Sequence, residues 1–420
     1  VKIAIIGQTL NKNWAGKISG GIQTVERLHV KIFLSEDHEV YFIAPGDSEV
    51  FNDHQNFHLC KMQGVSQEFY STQTPLTRAE KSAINKKLTA EIRDWVNEIK
   101  PDLVINHSFS SSHVRLAAEL AEKMPSVCFI HNTPDTAMDI GIIAKVQFYK
   151  KLTERGGALV CVSKYQRDLW RIALRQRVKN GESFNFLKEE DIDKIYDQYC
   201  YPVYVDTPSQ LALPKDHFIV ITRPDPIKNL HKLLELSINV NPYPLHIYLA
   251  HPGKLEENEY YTTKLAPRLE LLKSKGYEIT LHHNAPRTQL LDDLATARGC
   301  FIPCTVEAAP VVLLEAGALG VRSIVFAKAK RHGTVDHAAN DLIGSDFLEL
   351  VNVTGSDEEA SIALSKAIEK LTADPGNRQN LSDLTLSRHS FSNRTYDIMK
   401  LTAQLLVNTL RNPPRKALWE

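Results

Sequence analysis

Short runs of β-branched and other apolar residues recur along this chain, each followed by a longer segment whose apolar residues fall at helical spacing. In the first half the runs are Lys2 to Gly7, Glu39 to Pro45, Asp102 to His107, Ser126 to His131 and Ala158 to Ser163. In the second half they are His217 to Arg223, Leu245 to His251, Glu278 to His283, Gly299 to Cys304, Arg322 to Ala327 and Leu348 to Val353. Strand-like runs that are apolar throughout and separated by helices predict parallel sheets covered on both faces, the α/β class. Each set suffices for one doubly wound, Rossmann-like domain, and 420 residues, 43% of them hydrophobic, can fill two such cores. Between the sets, Asn180 to Leu213 is polar and then rich in Tyr and Pro, which reads as an insertion at about residues 178–200 followed by a linker. The expected organisation is residues 1–205, residues 212–390, and a final segment 391–420. Amphipathic stretches at Ser361 to Leu371 and Tyr396 to Leu410 are joined by a turn at Ser390-Phe391-Ser392, and the last helix is expected to return to the first domain.

Composition removes several classes. Fifty basic and fifty acidic residues leave no net field to draw the chain to nucleic acid or anionic lipid, so any such partner needs a local patch. The six cysteines lack C-x-x-C or metal-ligand spacing and read as reduced thiols of a cytoplasmic protein. No run of about 18 uncharged apolar residues occurs, so neither a signal peptide nor a spanning helix, and no integral membrane association, is expected. A G-x-G-x-x-G fingerprint after the first strand is absent, against a nicotinamide dehydrogenase. Asp191-Ile-Asp193 has the spelling of a metal-binding D-x-D but lies in the charged insertion, where it reads as a solvated face; no metal is expected.

In open α/β sheets ligands sit beyond the carboxyl ends of the strands, and two such domains offer a cleft between them. Arg223 and Lys228, five apart, occupy the loop between a strand and a leucine-rich helix, where free N–H groups and the helix dipole favour an anion such as a diphosphate. Solvated loop bases would look the same. Glu307 and Glu315, eight apart, follow another strand and can share a helix face. Carboxylates in an apolar stretch need hydrogen-bonded partners, for which sugar hydroxyls or nearby bases both serve. Gly20 and Gly21, opening the first helix, either let backbone approach a ligand or simply form a flexible turn.

Taken in order, Gly20-Gly21, Val162-Ser163-Lys164, Arg223 with Lys228, Asn284 to Leu291, Glu307 to Glu315 in an E-x(7)-E array, Glu315 to Gly320 and the Phe391 turn resemble retaining glycosyltransferases of the GT-B fold in the family 4 lineage. The resemblance implies a C-terminal domain that binds a nucleotide-diphosphate sugar, such as a UDP-sugar, and an N-terminal domain that takes the acceptor. By it Arg223 and Lys228 bind the diphosphate, Glu307 the sugar hydroxyls and Glu315 the ribose. Gly20, Gly21, Asn284 and the segment Ala308-Ala309-Pro310-Val311 line the donor, and His131 faces the sugar. The co-substrate is the nucleotide sugar and no further cofactor is implied. Ala308 to Pro310 stand where the family usually has a glycine-containing loop, Thr222 where a glycine precedes the loop arginine, and Arg322 where a proline is common.

From Lys164, the bases Lys164, Arg167, Arg171 and Arg175 fall on one helical face, with Tyr165 and Trp170 interleaved and Arg177 and Lys179 following. Such a stripe suits a nucleic-acid backbone and an extruded base. It is similar in kind to what the bacteriophage enzymes that glycosylate hydroxymethylated cytosine require, which makes double-stranded DNA the favoured acceptor and the host cytoplasm the place of action. The stripe equally suits an anionic lipid surface or a solvated helix, and a polysaccharide or lipid acceptor, a GT-B-like epimerase or a sugar-nucleotide binding module stay open.

Overall fold

The computed structural model describes residues 1–7, 21–45, 51, 53–62, 77–108, 111–131, 133–134, 142–181, 186–195, 198–199, 211–251, 253–329 and 335–411. Among these, the residues up to Tyr199 together with Ser392–Arg411 form one compact unit and residues 211–391 the other.

In the first unit the order is β1 (Lys2–Ile6), α1 (Gly21–Ser35), β2 (Glu39–Pro45), β3 (Phe57–Met62), α2 (Arg78–Ile99), β4 (Leu103–Ser108), α3 (Ser111–Leu120), β5 (Ser126–Ile130), α4 (Ile142–Glu154), β6 (Ala158–Cys161), α5 (Lys164–Lys179), α6 (Glu189–Ile195) and β7 (Gln198–Tyr199). The strands pair in the order β3-β2-β1-β4-β5-β6-β7, all parallel. Chain order reverses between β1 and β4, the switch point at which such sheets open a crevice. Ile3, Ala4, Ile5 and Ile6 are at most 1% exposed, as a central strand covered on both faces requires. The next position takes a glycine, Gly7, because a Cβ there would run into the Phe42 ring.

The second unit continues with β8 (Phe218–Thr222), α7 (Leu230–Ser237), β9 (Leu245–Leu249), β10 (Ile279–His283), β11 (Gly299–Ile302), β12 (Ser323–Ala329), β13 (Val335–Asp336) and β14 (Leu348–Asn352). Its helices α8 (Ala266–Ser274), α9 (Arg287–Thr296), α10 (Val311–Ala318), α11 (Ala338–Ile343), α12 (Asp357–Ala373) and α13 (Arg378–His389) lie between and after these strands. The order is β10-β9-β8-β11-β12 with β14 parallel on β12, and the two-residue β13 pairs antiparallel to β12. Phe218, Phe301, Tyr243 and leucines of α7 and α8 fill one side of this sheet. Its switch point lies between β8 and β11. The last helix, α14 (Phe391–Arg411), begins one residue after Ser390 caps α13.

Sequence periodicity missed β3, an edge strand whose His58 and Lys61 break the apolar run, the two-residue strands β7 and β13, and α13, whose exposed face masks its pattern. The segment read as a solvated insertion is also corrected. It carries α6, Ile192 is fully buried, Asp191 accepts from Lys150 Nζ at 2.9 Å, and Asp193 accepts twice from Arg175 Nη2 at 2.7 and 2.8 Å. The Asp191-Ile-Asp193 carboxylates thus latch α6 to α4 and α5. Five described cysteines are free and buried, and no helix among the described residues is long and apolar enough to cross a membrane.

Candidate active site

The loop after β8 is shaped by its own sequence. Asp225 caps a single 3-10 turn, Pro226–Lys228, by accepting from Ile227 N at 3.1 Å, and Asn229 closes it in the left-handed region at φ 58°. Two bonds fasten this loop to the one after β11: Asn229 Nδ2 donates to Pro303 O at 3.1 Å, and Cys304 Sγ to Ile227 O at 3.1 Å. His337, buried, accepts from Ala339 N on Nδ1 and donates from Nε2 to Cys304 O at 3.0 Å, fixing the far side of the second loop. These ties carry Lys228 onto Glu307, and the two mostly buried side chains form an ion pair. Burial works against the Lys228 ammonium, but the adjacent Glu307 carboxylate outweighs it and holds the pKa above the ordinary lysine value. Arg223, 57% exposed, has Asp225 at 3.7 Å.

Glu315 sits on α10 at 2% exposure and accepts from Arg287 Nη2, on α9, at 2.5 Å. Sequence reasoning passed over Arg287; the available signal was the cost of burying Glu315 without a cationic partner. Ala308 and Pro310 are buried and Ala309 and Val311 partly so, and Pro310 leads into α10 without a side-chain cap. The leading N–H groups and positive dipole end of α10 therefore belong to this loop region. Asn284, in the left-handed region at φ 50°, spends its amide on the backbone of His251, accepting from N at 2.9 Å and donating to O at 2.6 Å. Its side chain thus braces the loops after β9 and β10.

In the first unit Gly21 is the first residue of α1, while Gly20 lies outside the described residues. His131 follows β5 directly and is half-buried. Two histidines that sequence reasoning did not single out stand behind it: His107 Nδ1 lies 3.1 Å from His131 Nε2, and His29 Nδ1 lies 2.9 Å from His107 Nε2. Burial lowers the pKa of His131 to about 4 and, aided by His131, that of His29 to about 3, and it drives His107 well below the usual histidine range. Gln166 anchors the same strand end. Its amide donates to Ile130 O at 3.1 Å and accepts from Val162 N at 2.8 Å, while its own N–H is capped by Ser163 Oγ at 3.0 Å.

The basic face of α5 differs from the bare stripe its sequence suggests. Trp170 is 1% exposed and packs edge-on against Tyr149, so it is core and not a platform for a base. Arg167 bonds Asp168 at 3.1 Å, Arg171 reaches Asp193 at 3.4 Å, and Arg175 holds the same carboxylate. Lys164 stays exposed.

One further cluster has the donor types of a metal site, at the opposite, amino edge of the second sheet. His217 Nε2 lies 3.2 Å and His246 Nδ1 2.7 Å from the carboxylate oxygens of Asp293, to which Tyr248 also donates at 3.0 Å. The two imidazoles stack at 4.1 Å with 19° between planes. Nitrogen lone pairs lie in the ring planes, so nearly parallel rings are poorly aimed at one ion, and the cluster is structure held by the His246 and Tyr248 bonds to Asp293.

The model of Glycosyltransferase Family 4 matches residues 19–178. No curated protein sequence matches the chain. Among solved structures it is similar to a sucrose-phosphate synthase from Thermosynechococcus elongatus, at 14% identity and TM-score 0.67, covering 97% of this chain and 99% of that one. It is also similar to the lipopolysaccharide outer core galactosyltransferase WaaB, at 14% identity and TM-score 0.60 over 96% and 99% of the two chains. A third similar structure is the pneumococcal O-GlcNAc transferase GtfA, solved with UDP and GlcNAc, at 11% identity and TM-score 0.64 over 96% and 99%. The fold is that of GT-B glycosyltransferases, and the matched domain together with that fold is what nucleotide-sugar-dependent glycosyltransferases carry.

Proposed function

We propose that this chain is a retaining glycosyltransferase that moves a sugar from a nucleotide-diphosphate sugar to an acceptor hydroxyl, with residues 212–390 taking the donor and residues 1–205 the acceptor. The observation that carries this reading is the meeting of Lys228 and Glu307 at the switch point of the second sheet, with Glu315 buried on the helix that follows. Two cations, a carboxylate and a largely buried ion pair would serve the three parts of such a donor: Lys228 with Arg223 for the diphosphate, Glu307 for sugar hydroxyls, Glu315 with Arg287 for the ribose. A UDP-sugar is the favoured donor, supported by the UDP in the similar GtfA structure.

The chemistry asked of these residues is electrostatic. As the glycosidic bond to phosphate breaks, negative charge gathers on the departing diphosphate, and Arg223 and Lys228 would stabilise it. The diphosphate oxygen receives the acceptor proton on the same face, which gives retention without a protein nucleophile.

For the acceptor, the charge on α5 favours a polyanion, in the specific case DNA bearing hydroxymethylated cytosine. Lys164 and Lys179 stay exposed near the two ends of this helix, so positive charge remains on it beside the pairs with Asp168 and Asp193. Incubation with a panel of nucleotide sugars tests the class: a transferase releases nucleotide in an acceptor-dependent way, an epimerase interconverts sugars, and a binding module does neither. Mass spectrometry of nucleosides from hydroxymethylated DNA treated with enzyme and donor tests the acceptor; unmodified nucleosides beside active transfer to a saccharide or lipid would overturn it.

A further inference from the structure

Three imidazoles stand in line in the first unit. His29 comes from α1, His107 from the end of β4 and His131 from the end of β5, and both His29 and His107 are fully buried. The planes of His107 and His131 lie within 24° of each other with centroids 5.3 Å apart, a separation that exceeds the 3.1 Å N···N distance by about the width of one ring, so the rings meet edge to edge, in plane. Phe129 covers the middle ring, 12° from parallel at 5.2 Å, and also touches His29 at 4.6 Å.

Proton counting restricts this chain. Each N···N contact needs one protonated and one bare nitrogen. A neutral imidazole carries one proton, so His107 donates in one contact and accepts in the other, and both bonds must run in the same direction. Only two arrangements satisfy this, and they differ in which nitrogen of His131 is protonated. The buried end of the line decides between them. His29 Nε2 is inaccessible to solvent and has no hydrogen-bond partner among the described residues. An orphaned buried N–H is rarer than an under-used acceptor, so the bare nitrogen belongs there. His29 then donates from Nδ1 to His107 Nε2, and His107 donates from Nδ1 to His131 Nε2.

We infer that His29 and His107 are positioning residues that hold His131 in the Nδ1–H tautomer, leaving it a hydrogen-bond donor beyond the chain and not a base. Its use in transfer rests on the proposed placing of His131 at the donor sugar, where an N–H fixed in direction would hold a sugar oxygen. Reversing His131 requires all three protons to shift together, so the arrangement is more firmly set than a single bond would make it.

Long-range proton–nitrogen correlation spectra of the full chain labelled with ¹⁵N-histidine test this, with the His131 signals identified by their loss in His131→Gln. The wild type should show His131 protonated on Nδ1 with Nε2 an unprotonated acceptor, and His107→Phe should move His131 toward the Nε2–H form while the circular dichroism stays that of the wild type. An Nε2–H tautomer in the wild type overturns the inference even if His107→Phe does not fold, and so does a His131 tautomer indifferent to His107→Phe. With a donor in hand, His107→Phe should lower kcat by about tenfold at unchanged KM for the donor. Unchanged kcat beside the expected spectra would leave the tautomer assignment intact and remove His131 from the donor sugar.

Discussion

Arg287 holds the carboxylate of Glu315, 28 residues downstream, at 2.5 Å, and Glu315 is all but inaccessible to water. Removing the arginine strands a buried negative charge. Arg287→Ala should therefore destabilise the chain by on the order of 2 kcal/mol, below the roughly 3–5 kcal/mol of a wholly buried pair because the arginine is itself partly solvated. Adding Glu315→Gln to Arg287→Ala should recover part of the loss. Urea unfolding of the wild type and the two variants measures both effects, and a double variant no better than Arg287→Ala would show that the charge is not what matters.

Lys228→Ala and Arg223→Ala should each slow sugar transfer by on the order of 10²-fold, with Lys228 the more costly because it sits in the drier position. Transfer rates at saturating donor provide the measurement. Turnover at the wild-type rate in both would remove the diphosphate assignment.

Glu307→Gln should weaken use of the complete donor, whereas Glu315→Gln should weaken binding of donor and of free nucleoside diphosphate alike. Calorimetric titration of each variant with UDP and with a UDP-sugar separates the two, and equal losses would mean the carboxylates do not divide the donor between them.

On α5, Lys164→Glu combined with Lys179→Glu should weaken binding to duplex DNA and reduce the salt slope by about two units, at roughly 0.9 per lost phosphate contact. Asp193→Ala should act the other way at low salt, since it releases Arg171 and Arg175 from their carboxylate. Filter binding across a salt series reads both. A DNA affinity unmoved by either, in folded protein, would take the polyanion away from this helix.

Buried histidines make the fold acid-sensitive. His131, His29 and His107 have folded-state pKa values depressed below the unfolded value of about 6.5, so between about pH 6.5 and about pH 4 the unfolded chain binds more protons and stability falls with falling pH. Above about pH 6.5 their contribution is constant. His29→Leu should make the acid limb of a urea-midpoint profile shallower by about one proton, and an unchanged slope would mean that His29 is not buried neutral.

Periodicity made the two doubly wound sheets legible because continuous apolar strands such as Ile3 to Ile6 can belong only to a sheet covered on both faces. It could not show β3, where His58 and Lys61 interrupt the pattern at a sheet edge. Loop spelling singled out Arg223, Lys228, Glu307 and Glu315 as candidates, since charge in an apolar setting is visible in one dimension, and folding brings Lys228 and Glu307 together. Partners were not visible: Arg287 beside Glu315, and His29 and His107 behind His131, look like ordinary helix and strand residues until folding brings them together. Trp170 went the opposite way, because a spacing argument placed it on a basic face while the 1% exposure of its ring places it in the core.

The Lys228–Glu307 pair also gives the site a counterion of its own, so that donor entry, on the proposed reading, is an exchange of partners. The incoming diphosphate takes the ammonium, and the displaced carboxylate is left to find hydroxyls. A complete nucleotide sugar supplies both halves of that trade. A spent nucleoside diphosphate supplies only one and leaves Glu307 to reclaim its lysine. The resting ion pair thereby favours the loaded donor over the used one and helps to expel the leaving group once the sugar has gone.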